Sequence, residues 1–388
     1  MELLEVLGPN NIPEKGTWYA LVPTGQIPSV RVGHTCLHIP QTDGKGQIVV
    51  VGGANLNGSF SDAYILDLDA YEWDIPLWEG LLPRYEHASF CPTNNFNSLW
   101  VFGGADQYSN RNCVQVLDSE KGFWRSPAVG GTAPSARTFH TATAAIGNNL
   151  YIFGGGDKGT EPVHDTELHV FDSVALTWSQ PVTHGKPPAA RHGHVVVAVG
   201  TSLYIHGGLA GNRFYADMFC IDTVDMKWNK VNMTGDVPSG RAAHSGVAFE
   251  SLIYIFGGMN TAGALNTMHK YCTETRCWSL VKFVSALPSS RLDHSMCIIP
   301  WKIPFLEAHR ATCYLEDSKT VSTGEDLKKQ TFSTEEESEK TDSKHQVPKH
   351  QEKTSTSQDK RGLYLCLIFG GMNTDGEMYN DCIVTAIE

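Results

Sequence analysis

This 388-residue sequence lacks any run approaching 18 apolar residues, which excludes a membrane-spanning helix. Its opening, MELLEVLGPNN, has neither a basic start nor a continuous apolar stretch, so no secretory signal is expected. Basic residues are few: 30 Lys and Arg against 42 Asp and Glu leave a net charge of −12. Such a balance repels phosphate backbones and the anionic cytoplasmic leaflet, which argues against a nucleic-acid partner. Ten cysteines occur without one C-x-x-C pair. Read for a reducing cytosol, they are small apolar fillers rather than disulfide or zinc ligands, including Cys272 and Cys277, which flank a turn. A cytoplasmic protein is expected.

What is present is repetition. An R-x-x-H segment occurs six times, as RVGH, RYEH, RTFH, RHGH, RAAH and RLDH, beginning at Arg31, Arg84, Arg137, Arg191, Arg241 and Arg291. An apolar run ending in Gly-Gly follows each, with first glycines at 52, 103, 154, 207, 257 and 370. Tryptophans stand at Trp18, Trp73, Trp124, Trp178, Trp228 and Trp278, the later ones preceded six residues earlier by Asp67, Asp118, Asp172, Asp222 and then Cys272. A period near 50 residues with several short apolar runs per unit is that of a four-stranded kelch propeller blade. The predicted fold is therefore all-β: a six-bladed kelch β-propeller. In the third unit, strands are expected over 140–146, 150–154, 167–172 and 177–182.

The two ends of the sequence complement one another. The sixth unit stops at NDCIVTAIE without a tryptophan strand, while an orphan, TWYALV, stands near the N-terminus. If that strand completes the last blade, the ring closes and no sheet edge is left open. The glycine pairs are expected at sharp turns with positive φ, and the arginines and tryptophans as structural marks of the repeat. Each tryptophan should cover a junction between blades with its indole N–H paired. Histidines at 34, 87, 140, 194, 244 and 294 recur one per blade, so they are read as structural hydrogen bonders rather than ligands of one metal. GGGDKGT lacks phosphate-loop spacing, and no catalytic triad or carboxylate pair emerges from the repeat. Neither catalysis, a metal nor another cofactor is expected.

The spacing of 113 between the last two glycine pairs exceeds the usual 51 by 62 residues. Its polar, Ser/Thr/Glu/Lys-rich composition predicts a disordered insert in the last blade, a tolerated surface loop or a phosphorylation and docking segment. The organisation is thus an N-terminal tip (1–16), the propeller (17–301), the insert (302–361) and the remainder of blade six (362–388). Loops between second and third strands share one face with the blade connections, and the insert leaves the other. Because loops on rigid scaffolds carry recognition, and aromatic and arginine side chains dominate interface hot spots, the candidate partner-binding residues are Tyr108, Arg111, Arg213, Phe214 and Tyr215.

Several stretches resemble, beyond generic kelch marks, the family of Rab GTPase effector proteins with kelch motifs: LLPRYEHASF, SNRNC, ARTFHT, LTWSQP, YIHGGLAGNRFY, IFGGM, RLDHSMCIIPW and IFGGMNTDGE. The resemblance covers 17–301 and 363–388. It implies a non-catalytic scaffold that binds a GTP-loaded late-endosomal Rab GTPase, with other endosomal trafficking proteins as further candidates. It further implies peripheral association with endosome membranes, transport to the trans-Golgi network and recycling of mannose 6-phosphate receptors. Two rivals stand beside it. A ubiquitin-ligase substrate receptor would need a separate adaptor. A kelch-ring enzyme, such as a copper oxidase or a small-molecule isomerase, would need convergent ligands that no spacing here predicts.

Overall fold

Four antiparallel strands make each unit, and six units surround one axis. The computed structural model describes residues 3–42, 44–95, 98–139, 144–158, 161–301 and 362–387. Blade one is built from Thr35–Ile39, Gln47–Val51, Ala63–Asp67 and Glu72–Asp74. Blade two uses Ala88–Phe90, Trp100–Phe102, Val114–Asp118 and Phe123–Arg125. The third consists of Ala145–Ile146, Asn149–Phe153, Leu168–Asp172 and Thr177–Ser179, within two residues of most expected limits; residues 140–143 of the expected first strand lie outside the described residues. Blades four and five repeat the order with Val195–Val199 to Lys227–Lys230 and Ser245–Phe249 to Cys277–Leu280.

Blade six joins the two ends of the chain. Ser295–Pro300, Tyr364–Phe369 and Cys382–Ala386 pair in sequence order, and Trp18–Leu21 completes the sheet antiparallel to the last, with Trp18 opposite Thr385. The expected N-terminal closure is therefore present. Glu5–Val6 adds a parallel strand outside it, and Leu7 is buried. The insert at 302–361 lies outside the described residues. Among those described there is no helix, and none long and apolar enough to cross a membrane.

The repeated marks fall at the joints between blades. All six tryptophans are at most 3% exposed, and each rests on the residue preceding the glycine pair of the previous blade. Trp18 meets Phe256, Trp73 meets Phe369, Trp178 meets Phe102 and Trp228 meets Phe153, with ring centroids 4.7–5.6 Å apart. Where blade four carries His206 instead, Trp278 packs on that imidazole at 5.3 Å. Trp124 shares a core cluster with Val51, the equivalent residue of blade one. The expectation of paired indoles fails at three joints, since the N–H groups of Trp18, Trp178 and Trp228 have no hydrogen-bond partner. There, ring burial rather than a polar handle holds the side chain.

The aspartates six residues before the tryptophans shape the turns into the outer strands. Asp67 Oδ1 accepts the N–H groups of Asp69 and Ala70, and Asp172 Oδ1 those of Val174 and Ala175. This local bonding favours turns. In blade five, Cys272 takes the place, its thiol drawn below the usual range by hydrogen bonds from Thr275.

Candidate partner-binding face and channel mouth

The R-x-x-H segment and the glycine pair form one lock, repeated at every joint. The second glycine donates its N–H to the arginine carbonyl of the next blade, from Gly53 to Arg84 (2.9 Å) around to Gly371 and Arg31 (3.0 Å). The first glycine has no room for a side chain. At Gly52 φ is +59°, and an added Cβ would lie 2.6 Å from the Arg84 carbonyl oxygen. Each arginine then turns its side chain back, donating from Nη1 to the carbonyl of its own blade's first glycine at 2.8–3.1 Å. All six are at most 2% exposed. Four of these cations meet carboxylates: Arg31 with Asp62, Arg137 with Asp165, Arg191 with Asp217 and Arg291 with Asp381. Arg84 uses Gln115 instead, at 2.7 Å, and Arg241 reaches the Thr267 hydroxyl at 3.4 Å.

That lock fixes the loops between second and third strands. Residues within R-x-x-H form isolated bridges to them, as in Val32 with Ala54, Tyr85 with Ala105 and His192 with Leu209. Four of the loops carry small hairpins, including Ala54–Asn55 with Gly58–Ser59 and Leu209–Ala210 with Arg213–Phe214. A rigid face of six braced loops results.

The candidate side chains on this face divide. Tyr108 stands free at 84% exposure on a turn capped by Asp106 Oδ1. Arg111 is drawn inward, its guanidinium paired with Asp106 and its Nε donating to the Pro83 carbonyl. Arg213 is exposed and Phe214 half-buried. Tyr215 is buried, with its ring 4.1 Å from the Arg191 guanidinium carbon and 4.9 Å from that of Arg213. It serves as a platform beneath Arg213 rather than as a contact surface.

Sequence reading missed Leu56, which is 90% exposed at the tip of the blade-one loop. A Cβ at Gly58 in that loop would come within 3.5 Å of the Gln107 carboxamide, so Leu56 and Tyr108 occupy adjoining loops. The signal was available in the sequence: a leucine between two asparagines in ANLNG has no apolar neighbour to bury it.

At the centre, the third residue of every R-x-x-H has positive φ: Gly33, Glu86, Phe139, Gly193, Ala243 and Asp293, between 48° and 63°. These residues hand hydrogen bonds around the axis. Gly33 N–H donates to Asp293 O, Glu86 to Gly33, Gly193 to Phe139, Ala243 to Gly193 and Asp293 to Ala243, at 2.6–3.0 Å. They frame the mouth of an axial cavity of about 100 Å³ that all six blades line. Below them come His34, His87, His194, His244 and His294; His140 lies outside the described residues.

The histidines tie neighbouring blades together. His34 Nε2 donates to Phe369 O at 3.1 Å, His87 Nε2 meets Thr35 Oγ1 at 3.1 Å, and His244 Nε2 meets His206 Nδ1 at 3.0 Å. Burial, helped by Arg31, holds the His34 imidazole down to about 3, so it is neutral. Glu86 and Asp293 flank Gly33 at the mouth. Burial and the facing Asp293 charge push the Glu86 carboxyl well up, and burial raises Asp293 to about 7. Among the described residues no group of three or more His, Cys, Asp or Glu is arranged to hold a metal ion. Cys36 and Cys297 approach to 3.6 Å between sulfurs, beyond the roughly 2.05 Å of a disulfide.

The profile of the KLHDC2/KLHL20/DRC7 Kelch-repeats domain matches residues 33–258 and, overlapping, 97–306. Proteins named Rab9 effector protein with kelch motifs are similar along the full length: 58% identical in Xenopus laevis and 55% in Homo sapiens, each alignment covering 100% of both chains. The relative of the same name in Gallus gallus is 59% identical, covering 100% of this chain and 99% of its own. The chain belongs to the family of Rab9 effector proteins with kelch motifs.

Proposed function

We propose that this chain is a non-catalytic Rab effector whose loop face binds a late-endosomal Rab GTPase in its GTP-bound form. The observation that carries the reading is the identity of 50–59% over the whole chain with proteins named for Rab9. An effector must distinguish switch segments that the γ-phosphate orders and hydrolysis releases. A rigid scaffold suits that task, because pre-organised loops lose little entropy on binding. The exposed Leu56 and Tyr108 offer apolar contact on adjoining loops, and Arg213 offers charge on the same face. In the cell, this role serves transport from endosomes to the trans-Golgi network and recycling of mannose 6-phosphate receptors. Partners, including other endosomal trafficking proteins, bring the cytoplasmic chain to the endosome surface.

Calorimetric titration with a late-endosomal Rab tests the reading. Saturable binding to the Rab loaded with a non-hydrolysable GTP analogue, at least tenfold tighter than to the GDP form, is the expected result. Absence of binding to both forms would overturn it.

A further inference from the structure

Blade five departs from the other blades at one cross-strand pair. Where a turn joins the third and fourth strands, the residues that close the hairpin are Asp67 opposite Glu72, Asp118 opposite Phe123, Asp172 opposite Thr177 and Asp222 opposite Lys227. In blade five both places hold cysteine, and Cys272 stands directly opposite Cys277. Side chains opposite one another in an antiparallel pair project from the same face of the sheet, with Cα atoms about 4.5–5.5 Å apart. That spacing falls inside the roughly 4.4–6.8 Å that a disulfide spans. The hairpin therefore holds both thiols within bonding reach of one another.

Their surroundings set them apart from the other cysteines. Cys36, Cys297, Cys366 and Cys382 are buried, whereas Cys272 and Cys277 are half-buried at the turn end of the hairpin. Burial pushes the Cys366 and Cys382 thiols up and raises Cys91 to about 12, which keeps them protonated and inert. Cys272 is drawn the other way, because the Thr275 hydroxyl and N–H donate to its sulfur. The thiolate is the reactive form. In the reduced pair the sulfurs point apart: Cys277 Sγ donates to the Trp278 carbonyl at 3.6 Å, while Cys272 turns to Thr275. Burial encloses neither side chain, so rotation about χ1 of each brings the sulfurs together.

We propose that Cys272 and Cys277 form a modification site, a thiol pair that hydrogen peroxide oxidises to a reversible disulfide. The Cys272 thiolate attacks one peroxide oxygen; the O–O bond breaks, Cys272 becomes a sulfenic acid, and the departing hydroxide takes up a proton as water. Cys277 gives up its proton and attacks the sulfenic sulfur. The S–O bond breaks, the S–S bond forms and a second water leaves. Two thiols have lost two electrons and two protons, and one peroxide has been reduced to two waters. A dithiol reductant reopens the bond by exchange. Antiparallel order puts this turn on the face opposite the braced loops. Oxidation thus alters that face, by removing the Thr275 contact, and leaves the loop face as it is.

Peptide mapping of the full-length protein, after treatment with hydrogen peroxide and alkylation of the remaining thiols, tests this. Trypsin cuts after Lys270, Arg276 and Lys282, so the cysteines fall in separate peptides, YCTETR and CWSLVK, that only a disulfide holds together. The expected result is that linked pair, lost on adding dithiothreitol, with no covalent dimer on a non-reducing gel. Cys277→Ser should leave a Cys272 sulfenic acid that dimedone captures, and Cys272→Ser should slow peroxide-dependent thiol loss about tenfold. A Cys36–Cys297 linkage in place of this one, a covalent dimer, oxidation of Cys272 to sulfinic acid without linkage, or Cys272 reacting no faster than buried Cys366 would overturn the proposal. Mapping of the unaltered protein decides the matter even where a variant is unstable.

Discussion

Arg241 faces the hydroxyl of Thr267 at 3.4 Å, at the position where four equivalent arginines meet an aspartate. Burial pulls this guanidinium down to about 10, because no carboxylate offsets its loss of water. Thr267→Asp should therefore supply the missing partner and stabilise the protein by about 1 kcal/mol. The reverse change in blade four, Asp217→Thr, should cost about 2 kcal/mol by stranding Arg191. Urea midpoints of the two variants moving in opposite directions would check both.

Trp228 lies 5.3 Å from Phe153 across the joint between blades three and four. Trp228→Ala should destabilise by roughly 3–5 kcal/mol, since the cavity opens between two sheets that cannot collapse onto each other. Its indole N–H has no hydrogen-bond partner, so Trp228→Phe should recover more than half of the loss. Chemical denaturation followed by tryptophan fluorescence measures both.

Acid should unfold this protein earlier than its carboxylates alone would dictate. His34 and His206 are held at about 3 and His269 at about 4, chiefly by burial, and His244 and His294 well below 6.5 for the same reason. Below about 6.5 the unfolded chain takes up protons at these sites while the folded chain does not. Each then removes roughly 1 kcal/mol of stability per pH unit. Asp293, raised to about 7 by burial, and Glu86, also raised well above its usual range, act oppositely: both take up protons in the native state first, so falling pH favours the native state through them until the unfolded carboxyls protonate near 4. Five imidazoles outweigh two carboxyls, so the melting temperature should fall steadily from pH 6.5 to 4.5. In Asp293→Asn the melting temperature should rise relative to the parent above pH 7 and show no gain below pH 4.

Leu56 and Tyr108 contact solvent rather than the core, so Leu56→Asp and Tyr108→Ala should leave the melting temperature within about 1 °C of the parent, as surface changes commonly do. Each should weaken partner binding at least tenfold, about 1.4 kcal/mol or more. Tyr215→Ala should instead lower thermal stability, because that ring supports Arg191. Calorimetry beside thermal melts separates the two kinds of residue.

What the sequence determined by itself was the ring. Six R-x-x-H segments, six glycine pairs and six tryptophans at a near-constant period state the blade number, because identical units must solve the same packing problem at each joint. The orphan TWYALV strand stated the closure, since it is the strand that the sixth unit lacks and its hydrogen-bond ladder completes that blade. The positive φ at the mouth was legible at two of its six positions, Gly33 and Gly193. Tertiary structure decided what the non-repeating residues do. Glu86 and Asp293 are 207 positions apart in the chain and become neighbours only because the ring returns blade six to blade one. Tyr215 and Tyr108 look alike in sequence, yet one is covered by arginines and the other is open to solvent. Repetition is encoded locally, whereas the chemistry of a channel or a face depends on which blades the closed ring sets side by side.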